Sequence, residues 1–270
     1  MSIRTRPLLY RLPLLAVLFA SANMTYAQTP ARTPDGKPNF NGIWQALTTA
    51  NWDIQSHAAQ GGPMVPLGAV GAEPPGLGIV DGEEIPYLPA AAAKKKENYA
   101  NRIKLDPEVK CYLPGVPRAN YMPYPFQIVQ TPQYILMAYE YANAVRTVYM
   151  KDPGPAPVDS WMGQSVGKWE GDTLVVDATG FNDSTWFDRA GNFHSDALHV
   201  VERYRLRGPD VILYEATIED PMVFSKPWKI SFPIYRRLEK NVQILEFKCQ
   251  EFVEELLYGQ YRKPGTKAPQ

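Results

Sequence analysis

Short runs of β-branched and aromatic residues alternate with tight turns through most of the second half of the chain. The runs cover 126–130, 134–141, 144–150, 165–169, 173–181, 199–206, 211–220, 228–238 and 242–251, and a further short run, GIWQ, lies at 42–45. Runs of this kind that are joined by short turns predict an antiparallel meander. About ten strands are enough to close into a barrel, which removes exposed sheet edges. We therefore predict an all-β protein whose meander closes into a barrel.

The alternation also predicts which side chains point inward, because successive side chains of a strand face opposite sides of the sheet. In the run 199–206, Glu202 falls on the apolar face with Tyr204, whereas His199 and Arg203 fall on the other face. A buried carboxylate needs a cationic partner or it keeps its proton. We predict Arg236 as the partner of Glu202, with Arg146 as the second choice.

The segment 47–125 has little periodicity and predicts a long irregular wrap. Within it, 90–103 is rich in alanine and lysine and follows Pro89, which predicts one short helix. The proline-rich and tyrosine-rich part after this helix either packs as a structural wrap or carries function. If it lines a pocket, we expect Arg118, Tyr121 and Tyr124 there.

The first 27 residues have the pattern of a signal peptide. Three arginines precede the apolar run LPLLAVLFA, and small and polar residues follow up to Ala27. The run is short for a membrane span. We expect cleavage after residue 27 and a periplasmic or secreted protein whose residues 28–270 form a single β-barrel domain.

The charge is balanced, with 28 basic and 28 acidic residues, which gives no general case for nucleic acid or an anionic membrane as a partner. The chain has two cysteines, Cys111 and Cys249. In an oxidising compartment a single pair is most simply a disulfide, and the alternative is a catalytic thiol.

Three long motifs lie at 161–181, 194–204 and 215–221: WMGQSVGKWEGDTLVVDATGF, HSDALHVVERY and EATIEDP. Together they resemble a family of exported bacterial β-rich proteins without an assigned activity. The resemblance implies a secreted, β-rich, single-domain protein and no catalytic residues. Separately, Gly42-Ile43-Trp44 resembles the opening of lipocalin-type barrels, which implies a lipocalin-like barrel with the tryptophan plugging one end.

The loop that opens the segment 180–203 concentrates residues suited to acid/base chemistry. A histidine beside a carboxylate can move a proton near neutral pH. His194 with Asp196 or Asp183 provides such a pair, and Tyr204, Tyr121 or Arg118 could stabilise an oxyanion. The alternative is that His194 and Asp196 only hydrogen-bond to the loop backbone.

Two other chemistries are weaker on the same residues. A metal site from His194, Asp196, His199 and Glu202 is disfavoured because His199 points away from the other three along a regular strand. Ser165 has the letters of a Gly-x-Ser-x-Gly elbow but leads into a hairpin. No phosphate-loop or dinucleotide motif occurs in the sequence. We therefore expect neither a metal nor another cofactor.

The excess of aromatic residues in loops is typical either of loop anchoring or of the mouth of a ligand pocket. We predict an enzyme of the lyase, isomerase or hydrolase type acting on a small organic molecule, aromatic or cyclic ones included. The alternatives are a lipocalin-like carrier of an apolar ligand and an envelope protein whose barrel is filled by its own side chains. The predicted substrate-binding set is Arg118, Tyr121, Tyr124, Trp186, Glu202, Tyr204 and Arg236.

Overall fold

A computed structural model describes residues 30–62 and 64–261. The predicted signal peptide, 1–27, lies outside these residues. Nine strands form one closed barrel in sequence order. They are β1 (Gly42–Ala46), β2 (Phe126–Gln130), β3 (Tyr134–Tyr139), β4 (Val145–Tyr149), β5 (Gln164–Glu170), β6 (Thr173–Thr179), β7 (His199–Leu206), β8 (Val211–Glu219) and β9 (Trp228–Arg236).

The barrel closes where β1 pairs with β9, with Trp44 opposite Arg236. All neighbouring strands are antiparallel except β4 and β5, which are parallel with Val148 opposite Ser165. The prediction of a purely antiparallel meander is therefore wrong at one junction. The reason is the connection 150–163, which has no strand of its own and carries the chain back to the end of the barrel where β4 began.

Within 30–62 and 64–261 the chain forms nine strands where about ten were predicted, because 242–251 forms no strand. Its sequence pattern suits a strand, but the free edge of β9 is already paired with β1 in the closed barrel. The segment instead leaves the barrel and is joined to the wrap by the Cys111–Cys249 disulfide, which confirms the predicted bridge. Just beyond it, the backbone N–H of Phe252 donates to the carbonyl of Val109.

The helices are short and lie outside the barrel. The predicted helix near 90–103 is confirmed as α1 (Pro89–Ala100), followed at once by α2 (Arg102–Leu105), and α3 (Val253–Tyr258) lies near the end of the described chain. Single turns of 3-10 helix occur at Arg118–Tyr121, Tyr141–Asn143 and Gly259–Tyr261, and a kinked one at Val65–Gly71. No helix of the described residues is both long and apolar enough to cross a membrane.

The two ends of the barrel differ. At one end, which we call the turn end, the connections are the tight turns 131–133, 171–172 and 207–210. At the other, the loop end, the strands meet 47–125, 140–144, 180–198 and 220–227. His194, Asp183 and Asp196, and the proline-rich part of the wrap, therefore lie at the loop end, whereas Tyr204 lies inside the barrel on β7.

Side chains fill the barrel, and the alternation predicted for β7 is confirmed. Glu202 and Tyr204 are fully buried, while the side chains of His199 and Arg203 are partly exposed on the outer surface. Trp44 is fully buried at the turn end, where its indole N–H donates to the carbonyl of Phe40 over 2.8 Å. The interior is thus a packed core with one acidic residue inside it.

Candidate functional site

The buried acid of the barrel interior is paired with an arginine. Both Nη atoms of Arg146 donate to the Glu202 carboxylate: Nη1 donates to Oε1 over 3.1 Å, and Nη2 donates to Oε2. The Arg146 Nε donates to the Ser165 hydroxyl over 2.8 Å. Burial by itself would lower the pKa of Arg146, but the negative charge of Glu202 keeps that pKa well above its usual range. The second choice of the sequence argument, Arg146, is therefore the partner.

The remaining donors converge on one oxygen of the same carboxylate. Oε1 of Glu202 accepts from the Asn120 amide at 2.9 Å and from the Tyr204 and Tyr214 hydroxyls at 2.8 Å each. The Tyr139 hydroxyl donates to the Asn120 side-chain oxygen over 3.0 Å, and burial raises its pKa to about 12. A buried network with its donors and acceptors matched in this way rigidifies a core.

The predicted pairing of Arg236 with Glu202 is wrong. Arg236 lies at the end of β9, where its Nε is 3.1 Å from Asp210 and its Nη1 donates to the carbonyl of Asn41. Its guanidinium lies over the Trp44 ring, 4.1 Å from the centroid. Strand parity gave the correct face of Arg236 but not its depth along the barrel axis, which only the strand register fixes.

A second charged cluster lies in the wrap at the loop end. Glu108 accepts from Arg118 at 2.8 Å and from Arg189 at 2.7 and 2.5 Å, and Asn51 bonds to both Glu108 and Arg118. Burial alone would raise the pKa of Glu108, but the charges and hydrogen bonds of Arg189 and Arg118 lower it to about 2. The predicted pocket residue Arg118 is buried and fully engaged in this cluster.

The aromatic candidates at the loop end are mostly anchors. The Tyr121 hydroxyl is buried and donates to the Phe187 carbonyl over 2.8 Å. Tyr124 is half-buried and packs against Tyr141 and Phe247. Trp186 is buried, and its carbonyl accepts from Arg118 at 3.5 Å.

Asp188 fixes the middle of the loop 180–198, which holds the predicted histidine. Its carboxylate accepts from the backbone N–H groups of Ile54 and Ala190 and from both the backbone and the side-chain amide of Asn192. Burial, and then the charge of Asp53, raises its pKa to about 7. The bonds tie the loop to the wrap at Ile54.

His194 is buried, and its protonation state follows from its two partners. Nδ1 lies 2.9 Å from the carbonyl oxygen of Ser195, which can only accept, so Nδ1 carries a proton. Burial lowers the pKa of His194, against smaller opposite effects of the Ser195 hydrogen bond and the charges of Asp220 and Asp183. The ring is therefore neutral near pH 7, and Nε2 accepts from the Thr185 hydroxyl at 2.7 Å.

The structure does not bring Asp183 or Asp196 into contact with His194. Both are exposed, and the ring nitrogens of His194 bond to Thr185 and Ser195 instead. The nearest supporting carboxylate is Asp220, which is buried and accepts from the Ser195 backbone N–H at 2.6 Å and the Ser195 hydroxyl at 2.9 Å. Asp220 thus holds the residue that in turn holds the imidazole.

The other two histidines lie apart from this arrangement. His199 is on the outer surface between Asp177 and Glu219, at 3.1 and 3.3 Å, and Nδ1 of His57 donates to the Gln55 carbonyl over 2.8 Å. Over residues 30–62 and 64–261, no three histidine, cysteine, aspartate or glutamate side chains come together in a group that could hold a metal ion.

Gly115 brings the wrap close to Thr185. A Cβ atom at Gly115 would lie 2.6 Å from Thr185 Oγ1 and 3.2 Å from the Trp161 carbonyl oxygen, and the φ angle there is +73°. The indole N–H of Trp161 is buried without a hydrogen-bond partner, and its ring stacks on Tyr112. The Trp161 indole N–H therefore lies on a segment that packs against Gly115, beside the Thr185 hydroxyl that is bonded to His194.

Sequence reasoning missed Thr185 and Asp220, for different reasons. Asp220 directly follows β8, which ends at the loop end, so strand direction could have placed it near His194. Thr185 has no signal of its own, because a threonine in a loop is ordinary and only the fold of 180–198 sets it against the ring.

Chemically, His194 can accept a proton at Nε2 through the Thr185 hydroxyl. The Ser195 carbonyl and the Asp220 charge can stabilise the resulting imidazolium.

No family model matches the chain, and no curated protein matches it either.

Proposed function

We propose that the protein is an exported enzyme that works without a cofactor and transfers protons on a small organic substrate, with His194 as the base. The observation that carries this proposal is the neutral imidazole whose Nδ1 proton is held by the Ser195 carbonyl and whose Nε2 faces the Thr185 hydroxyl. A base of this kind is available at neutral pH because it is not already protonated.

The proton route follows from the bond at Nε2. A proton that leaves the substrate passes to Oγ1 of Thr185, while the hydroxyl proton of Thr185 passes to Nε2. The His194 imidazolium that forms donates from both nitrogens, to the Ser195 carbonyl and to Thr185. The negative charges of Asp220 and Asp183 favour this charged state, as their upward effect on the pKa of His194 indicates.

The Trp161 side of the site supplies the complementary donor. In this proposal the unpartnered indole N–H donates to the substrate oxygen on which negative charge develops, as an oxyanion-stabilising group does. The Tyr112–Trp161 stack then forms a wall of the substrate site and favours a planar or cyclic substrate. The reaction class remains that of a lyase, isomerase or hydrolase.

The carrier alternative is less well supported by the same packing. A lipocalin-like carrier holds its ligand inside the barrel, and the interior here contains the Glu202–Arg146 network with its tyrosines. Trp44, buried under Arg236, supports the lipocalin-like closure of one end. We therefore assign the substrate to the loop end, and the barrel serves as its support.

Export is part of the proposal. The disulfide between Cys111 and Cys249 suits an oxidising compartment, and the sequence pattern of 1–27 suits a cleaved leader. The periplasm or the exterior of the cell is then the place where the substrate is met.

The test uses matched histidine variants. Purified wild-type protein is incubated with the small-molecule extract of the producing cells, and mass spectrometry follows compounds that are consumed and formed. We expect His194→Gln to lower turnover at least about 100-fold, the contribution expected of a general base, and His199→Gln on the outer surface to keep wild-type turnover. Gln keeps an acceptor for Thr185, so the variant should fold.

A Thr185 pair tests the relay itself. Thr185→Ser keeps the hydroxyl and should retain turnover, whereas Thr185→Val has the same shape without the hydroxyl and should lose it. Equal turnover by wild type and His194→Gln would exclude His194 as the base. Retention of one extract compound by wild type, with no product formed, would favour the carrier.

A further inference from the structure

A groove of about 770 Å³ lies on the outer surface of the barrel near the turn end, across β7, β8 and β9. It is far along the barrel from His194, which belongs to the loop end, and it does not depend on the proposed function. Three outward arginines of the β7 line, Arg203, Arg205 and Arg207, form one side of the groove. Thr173 of β6 and side chains of β8 and β9, Glu215 among them, form the rest.

The strand register turns these residues into ordered rows. Arg205 is opposite Leu213, which is opposite Pro233, and Val211 is opposite Tyr235. The backbone N–H of Arg207 donates to the Val211 carbonyl, so Arg207 heads the row of Val211. Because neighbouring strands are about 4.8 Å apart, each row runs about 10 Å from the backbone of β7 across apolar side chains to the backbone of β9.

The charge of Arg205 and Arg207 is not balanced by the acids around them. Glu170 pairs with Arg203 at 3.0 Å, Asp172 with Arg32 at 2.8 Å, Asp210 with Arg236 at 3.1 Å and Glu215 with Lys229 at 2.8 Å. Arg205 and Arg207 are exposed and have no ion-pair partner within 30–62 and 64–261. Two uncompensated guanidinium groups therefore border an apolar floor in which Val211 and Leu213 are half-buried and Pro233 and Tyr235 are exposed.

We propose that this groove binds an amphipathic organic anion, a carboxylate on an apolar body about one row long. Guanidinium groups match a carboxylate in geometry and charge. The floor of Val211, Leu213, Pro233 and Tyr235 covers the apolar body, and burial of that body adds the hydrophobic contribution. A small inorganic anion would use only the arginines, and a neutral apolar molecule only the floor.

Octanoate is the probe, with 1-octanol and acetate as its two halves. Calorimetric titration at low salt should give saturable binding of octanoate, and at least about tenfold weaker binding of either half, which corresponds to about 1.4 kcal/mol. Arg205→Gln/Arg207→Gln should weaken octanoate binding about tenfold or more. Leu213→Ser should weaken it too while leaving the arginines in place.

A charge-matched control separates the groove from net charge. Lys151 and Lys226 are exposed lysines outside the groove, so Lys151→Gln/Lys226→Gln removes the same charge and should leave octanoate binding as in wild type. An unchanged Kd in the double arginine variant, or equal binding of octanoate and 1-octanol, would overturn the proposal. So would an equal loss in the lysine control.

Two further outcomes would assign the groove to another occupant. A hexaglutamate peptide that binds more tightly than octanoate, and that is insensitive to Leu213→Ser, would replace the small anion with an acidic polymer. Sedimentation with phosphatidylglycerol vesicles in the absence of octanoate binding would replace it with a membrane surface. Turnover in the His194 assay should be unaffected by the arginine variants, so the two proposals can fail separately.

Discussion

Replacing Arg146 by Met isolates the stability that depends on the ion pair inside the barrel. Oε2 of Glu202 has Arg146 as its only hydrogen-bond donor within the described residues, whereas Oε1 keeps Asn120, Tyr204 and Tyr214. The variant therefore leaves a buried charge with hydrogen bonds at only one of its two oxygens, which costs about 3–5 kcal/mol.

The Ser165 hydroxyl also loses its Arg146 partner, and the range of about 3–5 kcal/mol includes this loss. For a chain of this size, each kcal/mol lowers Tm by about 2–4 °C. A loss of about 4 kcal/mol should thus lower Tm by about 8–16 °C. The assay is urea unfolding of purified wild type and variant at pH 7, followed by circular dichroism, with the free energy of unfolding taken from midpoint and slope.

Two companion variants make the test specific. Arg203→Met removes an arginine from the same barrel but from an exposed pair with Glu170, and should cost less than about 1 kcal/mol. Arg146→Met/Glu202→Gln removes the stranded charge and should be more stable than Arg146→Met alone. A free energy of unfolding of Arg146→Met within about 1 kcal/mol of wild type would refute this expectation. So would a double variant that is less stable than Arg146→Met.

Three further predictions concern pH and the disulfide. Burial depresses the pKa of His194 in the folded state, so its contribution to stability is present above the unfolded pKa of about 6.5 and is lost as pH falls through the folded pKa. The free energy of unfolding should therefore fall between pH 7.5 and pH 5, and His194→Gln should remove this fall. Asp188 has the opposite sign, because its folded pKa of about 7 exceeds the unfolded value of about 3.9. Its contribution to stability is full below about pH 4 and is lost as pH rises through 7, so the free energy of unfolding should fall over that range. A fall of the same size in Asp188→Asn would contradict this. The cysteines are 138 residues apart, so Cys111→Ser/Cys249→Ser should lose at most about 5 kcal/mol; two free thiols in unreduced wild type would show that the bridge is absent.

Much of the barrel could be predicted from the sequence because the local signals were strong. Alternation placed Glu202 and Tyr204 inside and His199 and Arg203 outside, as the structure has them. Tight turns marked most of the hairpins. The cysteine pair was predicted because a chain with two cysteines has one possible internal bridge, which an oxidising compartment favours.

What the sequence could not supply was long-range. The run 242–251 has strand character, but β1 occupies the edge it would need, and no local pattern records that competition. The choice between Arg146 and Arg236 depended on register around the closed barrel. At the loop end, His194 bonds to Thr185 and Ser195, and Ser195 bonds to Asp220. Only the folded loops bring these residues together.

The most direct test of the proposed function is the turnover of extract compounds by His194→Gln compared with His199→Gln. The account predicts that His199→Gln behaves as wild type and that His194→Gln forms at least about 100-fold less product, with both proteins folded by circular dichroism. Product formation by His194→Gln at the wild-type rate would contradict it.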